Sequence, residues 1–404
     1  MSSLSSLPEE VQVDIFLRLP DNSILACRCV CKPLCNLLYK PSFIKNHLNL
    51  SIQSNRRFML AIDDNKEMYS INYDSRSASS SRVVGNRAVH VGYPFWDKNI
   101  KTLVAVGSCN GLICLGISSG RKNIDEKSCI CVWNPSTGEY QNIEIPVNDF
   151  NYSSELSYSV RYGFGYDSNI DDYKLVRILD NEIEVYTLGS KSWKTIQCTE
   201  RYIAIPGHNR RLNVKRRLSG VLHNGSVHWL GGTSTEVIVF FDINNETFMD
   251  IPFPEEALPP LPGDRIHKDV GVFGDCLCVA VVVVGFMTEV WVMQDYGVRE
   301  SWVKQFTING PSVEIICLPL MPRCYQYSFS KPTWSLENGE ILIDEHRGLV
   351  SYDQSNGITR RDLFDSMATS RYIASYVKSL AYMKSGTYME KRTTNGDQKK
   401  RKHV

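Results

Sequence analysis

"VWNPSTGEY", Val132–Tyr140, has the pattern of a β-hairpin that carries an aromatic residue on each strand. Its middle, Pro135 to Gly138, consists of turn formers. The same seven-residue spacing of aromatics recurs in "VYTLGSKSW" and "FFDINNETF", which gives the pairs Trp133–Tyr140, Tyr186–Trp193 and Phe241–Phe248. Three matched hairpins predict an all-β domain that is built from repeats.

Looser copies extend the repeat. "VWVMQDYGVRESW" pairs Trp291 with Trp302 across a longer turn, "VSYDQSNGITRRD" keeps Tyr352 and an Asn-Gly turn, and "YSINYDSRSAS" around Tyr73 resembles a first copy. Successive copies lie about 50 to 60 residues apart, a spacing typical of kelch-sized blades.

A second element, a tight turn before an apolar strand, lies between these hairpins in "SCNGLICL", "GVLHNGSVHWL", "GVFGDCLCV" and "LENGEILI". Two hairpins in each period give four strands, so we expect a kelch-like β-propeller of about six blades. The alternative is one irregular β-sandwich with coincidental hairpins.

The N-terminal stretch "LPEEVQVDIFLRLPDNSILACRCVCKPLCNLLYK", Leu7–Lys40, instead has helical periodicity. Pro20 ends a first helix, Asp21 to Ser23 supply caps for a second, and Pro33 fits the first turn of a third. Three short helices with apolar residues on more than one face bury too little surface alone. A partner is therefore implied.

The cysteines of this stretch are spaced C-x-C-x-C-x3-C, at Cys27, Cys29, Cys31 and Cys35. Alternate helical positions diverge, so we expect buried thiols here; the alternative is a zinc site. The pairs Cys129/Cys131 and Cys276/Cys278 are expected to share buried strand faces.

Composition narrows the class of protein. The 404 residues carry a net charge of +1, which argues against nucleic acid or an anionic membrane as partner. The longest apolar run, Cys276–Phe286, is too short for a membrane helix and predicts a buried strand. Thirteen cysteines without a secretory signal indicate reduced thiols, in the cytoplasm, the nucleus or both.

Motifs for catalysis are lacking. No phosphate loop, H-E-x-x-H or G-x-S-x-G motif occurs, and the paired acids Asp171 and Asp172 suit a solvated turn better than acid/base work. We therefore expect no catalytic residues, no metal and no cofactor.

The N-terminal stretch resembles the F-box in its opening Leu-Pro-Glu-Glu, in "RLP", in "RCVCK" and in the closing P-x-F-I-x-x-H-L at Pro41 to Leu48. The body resembles the plant F-box-associated interaction domain, through "GSCNGLICL", "VWNPSTGEY", "YGFGYDSNIDDYKLVRI", "EVWVMQDYGVRESWVKQFTI" and "LVSYDQSNG". The resemblance implies a three-helix F-box over residues 1–50, a propeller-like substrate-binding domain over 51–385 and a basic tail over 386–404.

F-box proteins are substrate receptors of Skp-cullin-F-box ubiquitin ligases. The resemblance implies that the helices bind a Skp-family adaptor and, through it, a cullin-RING ligase, while the second domain holds a protein target. The implied adaptor contacts are Leu7, Pro8, Ile15, Leu19, Pro20, Leu25 and Val30. For each of them the alternative is packing within the helical domain.

Two segments are candidates for binding the target. Pro206 to Gly220 carries five basic residues and no acid, and predicts an acidic or phosphorylated partner; the other segment ends in "YPFWDK". The candidate residues are Arg210, Arg211, Lys215, Arg216, Arg217, Phe95 and Trp96. The rival functions are a non-ligase interaction scaffold and a carbohydrate-binding or enzymatic propeller.

Overall fold

The structure is a computed structural model. It describes residues 7–54, 57–62, 67–72, 88–92, 100–120, 127–146, 149, 160–179, 182–197, 219–231, 237–254, 257, 266–283, 287–309, 331–335, 340–345, 348–353, 358–360 and 372–383.

Four short helices form the N-terminal part: α1 Glu9–Leu17, α2 Asp21–Cys27, α3 Lys32–Leu38 and α4 Pro41–Gln53. The expectation of three helices is therefore wrong by one. The missed helix begins at Pro41, where proline costs no hydrogen bond because the first N–H groups of a helix have no partner within it. Phe43, Ile44 and His47 lie at helical spacing and are buried on one side of α4.

Six four-stranded antiparallel sheets make up the described β-structure. Blade 1 consists of β24 (Tyr372–Val377), β1 (Arg57–Ile62), β2 (Met68–Asn72) and β3 (Ala88–His90); blade 2 of β4 (Ile100–Cys109), β5 (Leu112–Ser119), β6 (Lys127–Trp133) and β7 (Tyr140–Glu144); and blade 3 of β8 (Val160–Asp167), β9 (Asp172–Leu179), β10 (Glu182–Thr187) and β11 (Ser192–Gln197). Blade 4 consists of β12 (Val221–His223), β13 (Ser226–Gly231), β14 (Val237–Asp242) and β15 (Thr247–Pro252); blade 5 of β16 (Ile266–Phe273), β17 (Cys276–Val283), β18 (Met287–Met293) and β19 (Trp302–Asn309); and blade 6 of β20 (Lys331–Ser335), β21 (Glu340–Glu345), β22 (Gly348–Asp353) and β23 (Ile358–Arg360).

Blade 1 takes its strands from both ends of the chain, whereas the other five blades each use four consecutive strands. β24 pairs with β1 from Arg57 opposite Val377 to Ile62 opposite Tyr372. The first strands of the blades pack against one another in the order β24, β4, β8, β12, β16, β20. The predicted all-β propeller is confirmed, and the ring is closed by pairing between its terminal strands. The kelch-like character of the blades stays a prediction.

The three aromatic hairpins form as predicted. Trp133 lies opposite Tyr140, Tyr186 opposite Trp193, and Phe241 opposite Phe248. Their turns share one backbone geometry, in which an N–H bonds back to the carbonyl four residues earlier; the residues that donate it are Gly138, Lys191 and Glu246, all with positive φ. Equal spacing in the sequence thus corresponds to equal turns.

The fourth hairpin differs from its prediction. Trp302 lies opposite Met293, and Trp291 lies opposite Lys304. A register shift between Val290 and Trp291 moves the pairing. The turn predicted at Asn356-Gly357 lies outside the described residues. Of the copy around Tyr73, residues 69–72 belong to β2, and the rest lies outside the described residues.

The core lies between neighbouring blades. Trp133 is buried between blades 1 and 2, Tyr186 between blades 2 and 3, Phe241 between blades 3 and 4, and Trp291 between blades 4 and 5. These four aromatics therefore pack neighbouring blades together instead of lining the mouth of the ring.

The strand cysteines behave as predicted. Cys131 and Cys278 are buried, and each shares its apolar cluster with the half-buried cysteine two positions earlier. The apolar run that begins at Cys276 forms the buried strand β17.

The two faces of the ring carry different connections. Strands alternate in direction, so each of blades 2 to 6 begins and ends on one face, here called the linker face. The turns within the aromatic hairpins lie on the other face, here called the turn face. β1 begins beside the end of β24 at the turn face, since Arg57 lies opposite Val377. The helical domain therefore joins the propeller at the turn face.

A buried histidine lies between blades 4 and 5. The His228 side chain has no solvent exposure; its Nδ1 lies 3.2 Å from the Val221 carbonyl oxygen, and its Nε2 lies 2.7 Å from the Tyr296 hydroxyl. Since a carbonyl only accepts, Nδ1 carries the proton and the unprotonated Nε2 accepts from Tyr296. The pKa of His228 is lowered to about 4, chiefly by burial; the hydrogen bond to Val221 opposes this shift, and nearby His223 adds to it.

We expect this histidine to make the propeller sensitive to mild acid. Its pKa is lower in the folded state than the usual 6.5, so the stabilisation is complete above pH 6.5 and is lost as the pH falls towards 4. Between pH 7.5 and pH 5 the loss should be about 2 kcal/mol. Urea unfolding at both pH values, compared with a His228→Gln variant that cannot titrate, measures it. If the unfolding free energy of the two proteins depends on pH equally, the buried His228 is not the cause of the acid sensitivity.

Candidate functional site

Apolar side chains are exposed on the helical domain in unusual number. Val30, on the connection between α2 and α3, is 71% exposed. The other large exposed apolar side chains of this domain are Leu7, Val11, Ile15, Tyr39, Leu50 and Ile52. Val11 and Ile15 lie one turn apart on α1, so they share a face. A group of exposed apolar side chains on one small domain is a candidate interaction surface.

Two contacts bring several of these residues to one end of the helical domain. Lys40 Nζ lies 2.5 Å from Glu9 Oε1, which joins the start of α1 to the turn before α4. The Arg28 guanidinium lies 4.1 Å from the centre of the Tyr39 ring and donates to the Leu38 carbonyl at 3.1 Å. Leu7, Val30 and Tyr39 flank these contacts. Together with Val11 and Ile15 they form what we call the apolar patch.

The other side of the helical domain faces the propeller. His47 Nε2 of α4 lies 3.1 Å from Asp21 Oδ1, at the first turn of α2. Asp21 is close enough to buried Tyr376 of β24 to affect its electrostatics: the pKa of Tyr376 is raised to about 12, mainly by burial and in part by Asp21. The beginning of α2 thus lies on the side of the helical domain that faces the propeller.

The cysteines of the helical domain contradict the expectation of buried thiols at two positions. Cys29 and Cys31 are exposed, and Cys27 and Cys35 are half-buried. α2 ends at Cys27, so the next four residues are a connection rather than a helix with an inward face. Within the described part of the chain, no group of three or more His, Cys, Asp or Glu side chains is placed to hold a metal ion.

Two buried basic side chains of blade 3 are paired with acidic side chains. Lys174 Nζ lies 2.5 Å from Asp167 Oδ2 and 2.7 Å from Glu246 Oε1, and so joins blades 3 and 4. Arg177 Nε lies 2.7 Å from Asp149 Oδ2, which also accepts the Tyr162 hydroxyl. Side chains held in such mutual pairs stabilise the blades and are poorly suited to proton transfer.

Of the paired acids singled out in the sequence, Asp171 is a turn residue, as expected, whereas Asp172 is the half-buried first residue of β9. Asp171 is exposed with a positive φ and accepts from the Tyr166 hydroxyl. Asp172 Oδ2 accepts the Gly189 N–H at 2.8 Å, which ties the two turns of blade 3 together. Among the described helices, none combines the length and the apolar character that crossing a bilayer requires.

Comparison with known families decides the class of protein. An F-box-like model matches residues 4–50, and a model described as the F-box associated beta propeller domain matches residues 33–383. The chain is an F-box protein. Its predicted family is thereby confirmed.

Two relatives from Arabidopsis thaliana span most of this F-box protein. F-box protein CPR1 is 30% identical over 358 residues, which cover 84% of this chain and 82% of CPR1. F-box/kelch-repeat protein At3g23880 is 24% identical over 405 residues, which cover 94% of this chain and 96% of that protein. The likeness therefore extends over both the helical domain and the propeller.

The structure places the predicted adaptor contacts of this F-box protein in two environments. Leu7, Pro8, Ile15, Pro20 and Val30 are exposed. Leu19 and Leu25 are half-buried and pack against the helical core. For Leu19 and Leu25, this packing supports the alternative that they stabilise the helical domain instead of contacting an adaptor. The roles of all seven stay predictions.

The candidate target contacts Arg210, Arg211, Lys215, Arg216, Arg217, Phe95 and Trp96 lie outside the described residues. Sequence reasoning also omitted two members of the apolar patch. Val11 lies four positions before Ile15, so its helical spacing from a predicted contact was an available signal. Tyr39 had no such signal, because its place in the patch depends on the contact with Arg28.

Proposed function

We propose that this F-box protein is the substrate receptor of a Skp-cullin-F-box ubiquitin ligase. The helical domain binds a Skp-family adaptor, and the propeller holds a target protein for ubiquitin transfer and degradation. The protein acts in the cytoplasm, the nucleus or both, without nucleic acid or membrane as partner. Its own contribution to the reaction is to position the target, since the chemistry belongs to other subunits.

The apolar patch is the observation that carries this proposal. Removing an exposed valine such as Val30 from water into an interface lowers the free energy of the complex. The side chains of the patch are exposed although the propeller is present, so the described blades leave them free for an adaptor. The exposed Glu9–Lys40 pair provides charged groups beside it, as is typical of the rim of an interface.

The target is proposed to bind at the linker face. The basic segment Pro206–Gly220 connects β11 to β12, and the segment with Phe95 and Trp96 connects β3 to β4. Both are connections between blades, and such connections attach to the face opposite the helical domain. Adaptor and target would then occupy opposite sides of the receptor. The five basic residues favour an acidic or phosphorylated surface on the target.

Reconstitution tests the proposal. The purified full-length chain is mixed with a Skp-family adaptor, and the complex is then offered a cullin-RING subunit. We expect a 1:1 adaptor complex with submicromolar affinity that recruits the cullin. A folded chain that binds no adaptor would contradict the proposal and leave a non-ligase interaction scaffold.

A further inference from the structure

The last described residues, Lys378–Met383, form an extended segment between the helical domain and the propeller; we call it the strap. Its side chains alternate. Leu380 is completely buried in the helical core, with Tyr382 packed beside it. Ala381 and Met383 are buried in the core between blades 2 and 3. The strap is therefore apolar on both sides and joins two separate cores.

Polar contacts fix the strap on the turn face. Ser379 Oγ donates to the Asn110 carbonyl at 2.6 Å, in the first turn of blade 2. The buried Asn134 side chain donates from Nδ2 to the carbonyls of Ser379 at 3.1 Å and Ala381 at 2.7 Å. Asn134 Oδ1 accepts the Ser136 N–H at 2.8 Å within its own hairpin turn. One buried amide thus holds the strap and the turn together.

The helical core is incomplete without the strap. Among the residues that the structure describes, its buried members are Phe16, Ile24, Leu37, Leu38, Phe43, Ile44 and Leu380, and Leu380 alone of these comes from outside the four helices. The helices have seven to thirteen residues, and helices of that length are marginal in water without tertiary packing. A fully buried leucine from the far end of the chain therefore contributes substantially to their order.

We propose that the strap completes the F-box and positions its adaptor-binding surface, with Leu380 as the positioning residue. The inference rests on the proposed function for its link to the adaptor. Because the strap follows β24 directly, the F-box core is completed by the same chain end that closes the ring. A chain that lacks a closed propeller would then present a poorly ordered F-box.

Substitutions on opposite sides of the strap test this. In the full-length chain, Leu380→Ala removes the side chain that faces the F-box, and Met383→Ala removes one that faces the propeller. Two measurements are made: adaptor affinity by calorimetry, and amide hydrogen exchange across helices and blades. We expect Leu380→Ala to raise exchange in α2 to α4 at least tenfold and to weaken adaptor binding at least tenfold. Met383→Ala should leave the adaptor affinity and the exchange of the helices within twofold of wild type. It should raise exchange in blades 2 and 3.

Leu380→Met is expected to restore both properties because it refills the volume. If Leu380→Ala does not fold, Leu380→Val gives the same comparison with a smaller cavity. Wild-type adaptor affinity together with unchanged helix exchange in the Leu380 variants would overturn the inference. A wild-type chain that fails to bind the adaptor would contradict the proposed function, while the exchange measurement would still decide whether the strap completes the helical core.

Discussion

Replacing Val30 by Asp is expected to lower the affinity of this F-box protein for a Skp-family adaptor at least 100-fold. Val30 is the most exposed large apolar side chain of the helical domain, at 71%. Truncation of a buried interface anchor costs about 2 kcal/mol or more, and a carboxylate at the same place also loses its hydration without gaining a partner. In the free protein the side chain faces water, so the free energy of unfolding should change by less than about 1 kcal/mol.

A matched control is available on the propeller. Val89 of β3 is 64% exposed, and Val89→Asp introduces the same charge on the propeller instead of the helical domain. Calorimetry of both variants with the adaptor, and urea unfolding of both, separates binding from folding. Equal affinities for the two variants would show that Val30 lies outside the interface.

The aromatic hairpins were predictable because each depends on a short stretch of chain. Four turn residues set the register between Tyr186 and Trp193, and the two rings lie 5.1 Å apart as a consequence. The hairpin of Trp291 and Trp302 was not predictable in this way. Its longer turn includes a short 3-10 helix, Arg299–Ser301, and the strand before it shifts register. Neither feature follows from the spacing of the aromatics.

In the helical domain, too, the helices were predictable only where a short stretch of sequence carries a clear signal. Prolines at the starts of α3 and α4 are strong signals, yet α4 was missed because its residues were interpreted only as the end of a motif. The exposure of Cys29 and Cys31 depends on α2 ending at Cys27, after only two turns. Helix length is poorly specified by such a short sequence.

The candidate site was predictable only at positions where the F-box resemblance implies an adaptor contact and the side chain is in fact exposed. Val30 is exposed as that resemblance implies, whereas Leu25 packs against the helical core. The strap had no local signal. "KSLAYM" is a short alternation of apolar residues, and its partners Phe43 and Asn110 lie more than 260 residues earlier in the chain. Contacts of that separation are set by ring closure.

Replacing Gly111 by Ala is expected to lower the free energy of unfolding by about 4 kcal/mol. Gly111 has a φ of 84°, a conformation that costs an alanine energy. A Cβ there would also overlap Ser379 Oγ, and would lie 2.5 Å from Ser379 Cβ and 2.9 Å from the Val377 carbonyl oxygen. The substitution therefore strains the first turn of blade 2 and displaces the strap.

Gly225 separates these two causes. It follows Asn224 as Gly111 follows Asn110, it has a φ of 72°, and a Cβ there would meet nothing within 4 Å. Gly225→Ala should therefore cost only the conformational part, about 1 kcal/mol. Urea unfolding of both variants measures the difference. Amide hydrogen exchange of the helices should rise in Gly111→Ala alone because, of these two turns, the one with Gly111 contacts the strap. Equal losses of unfolding free energy in the two variants would mean that the strap moves away from a Cβ at Gly111 without an energetic penalty. Two Asn-Gly turns that look alike in the sequence are thus expected to differ in energy through a contact made at the far end of the chain.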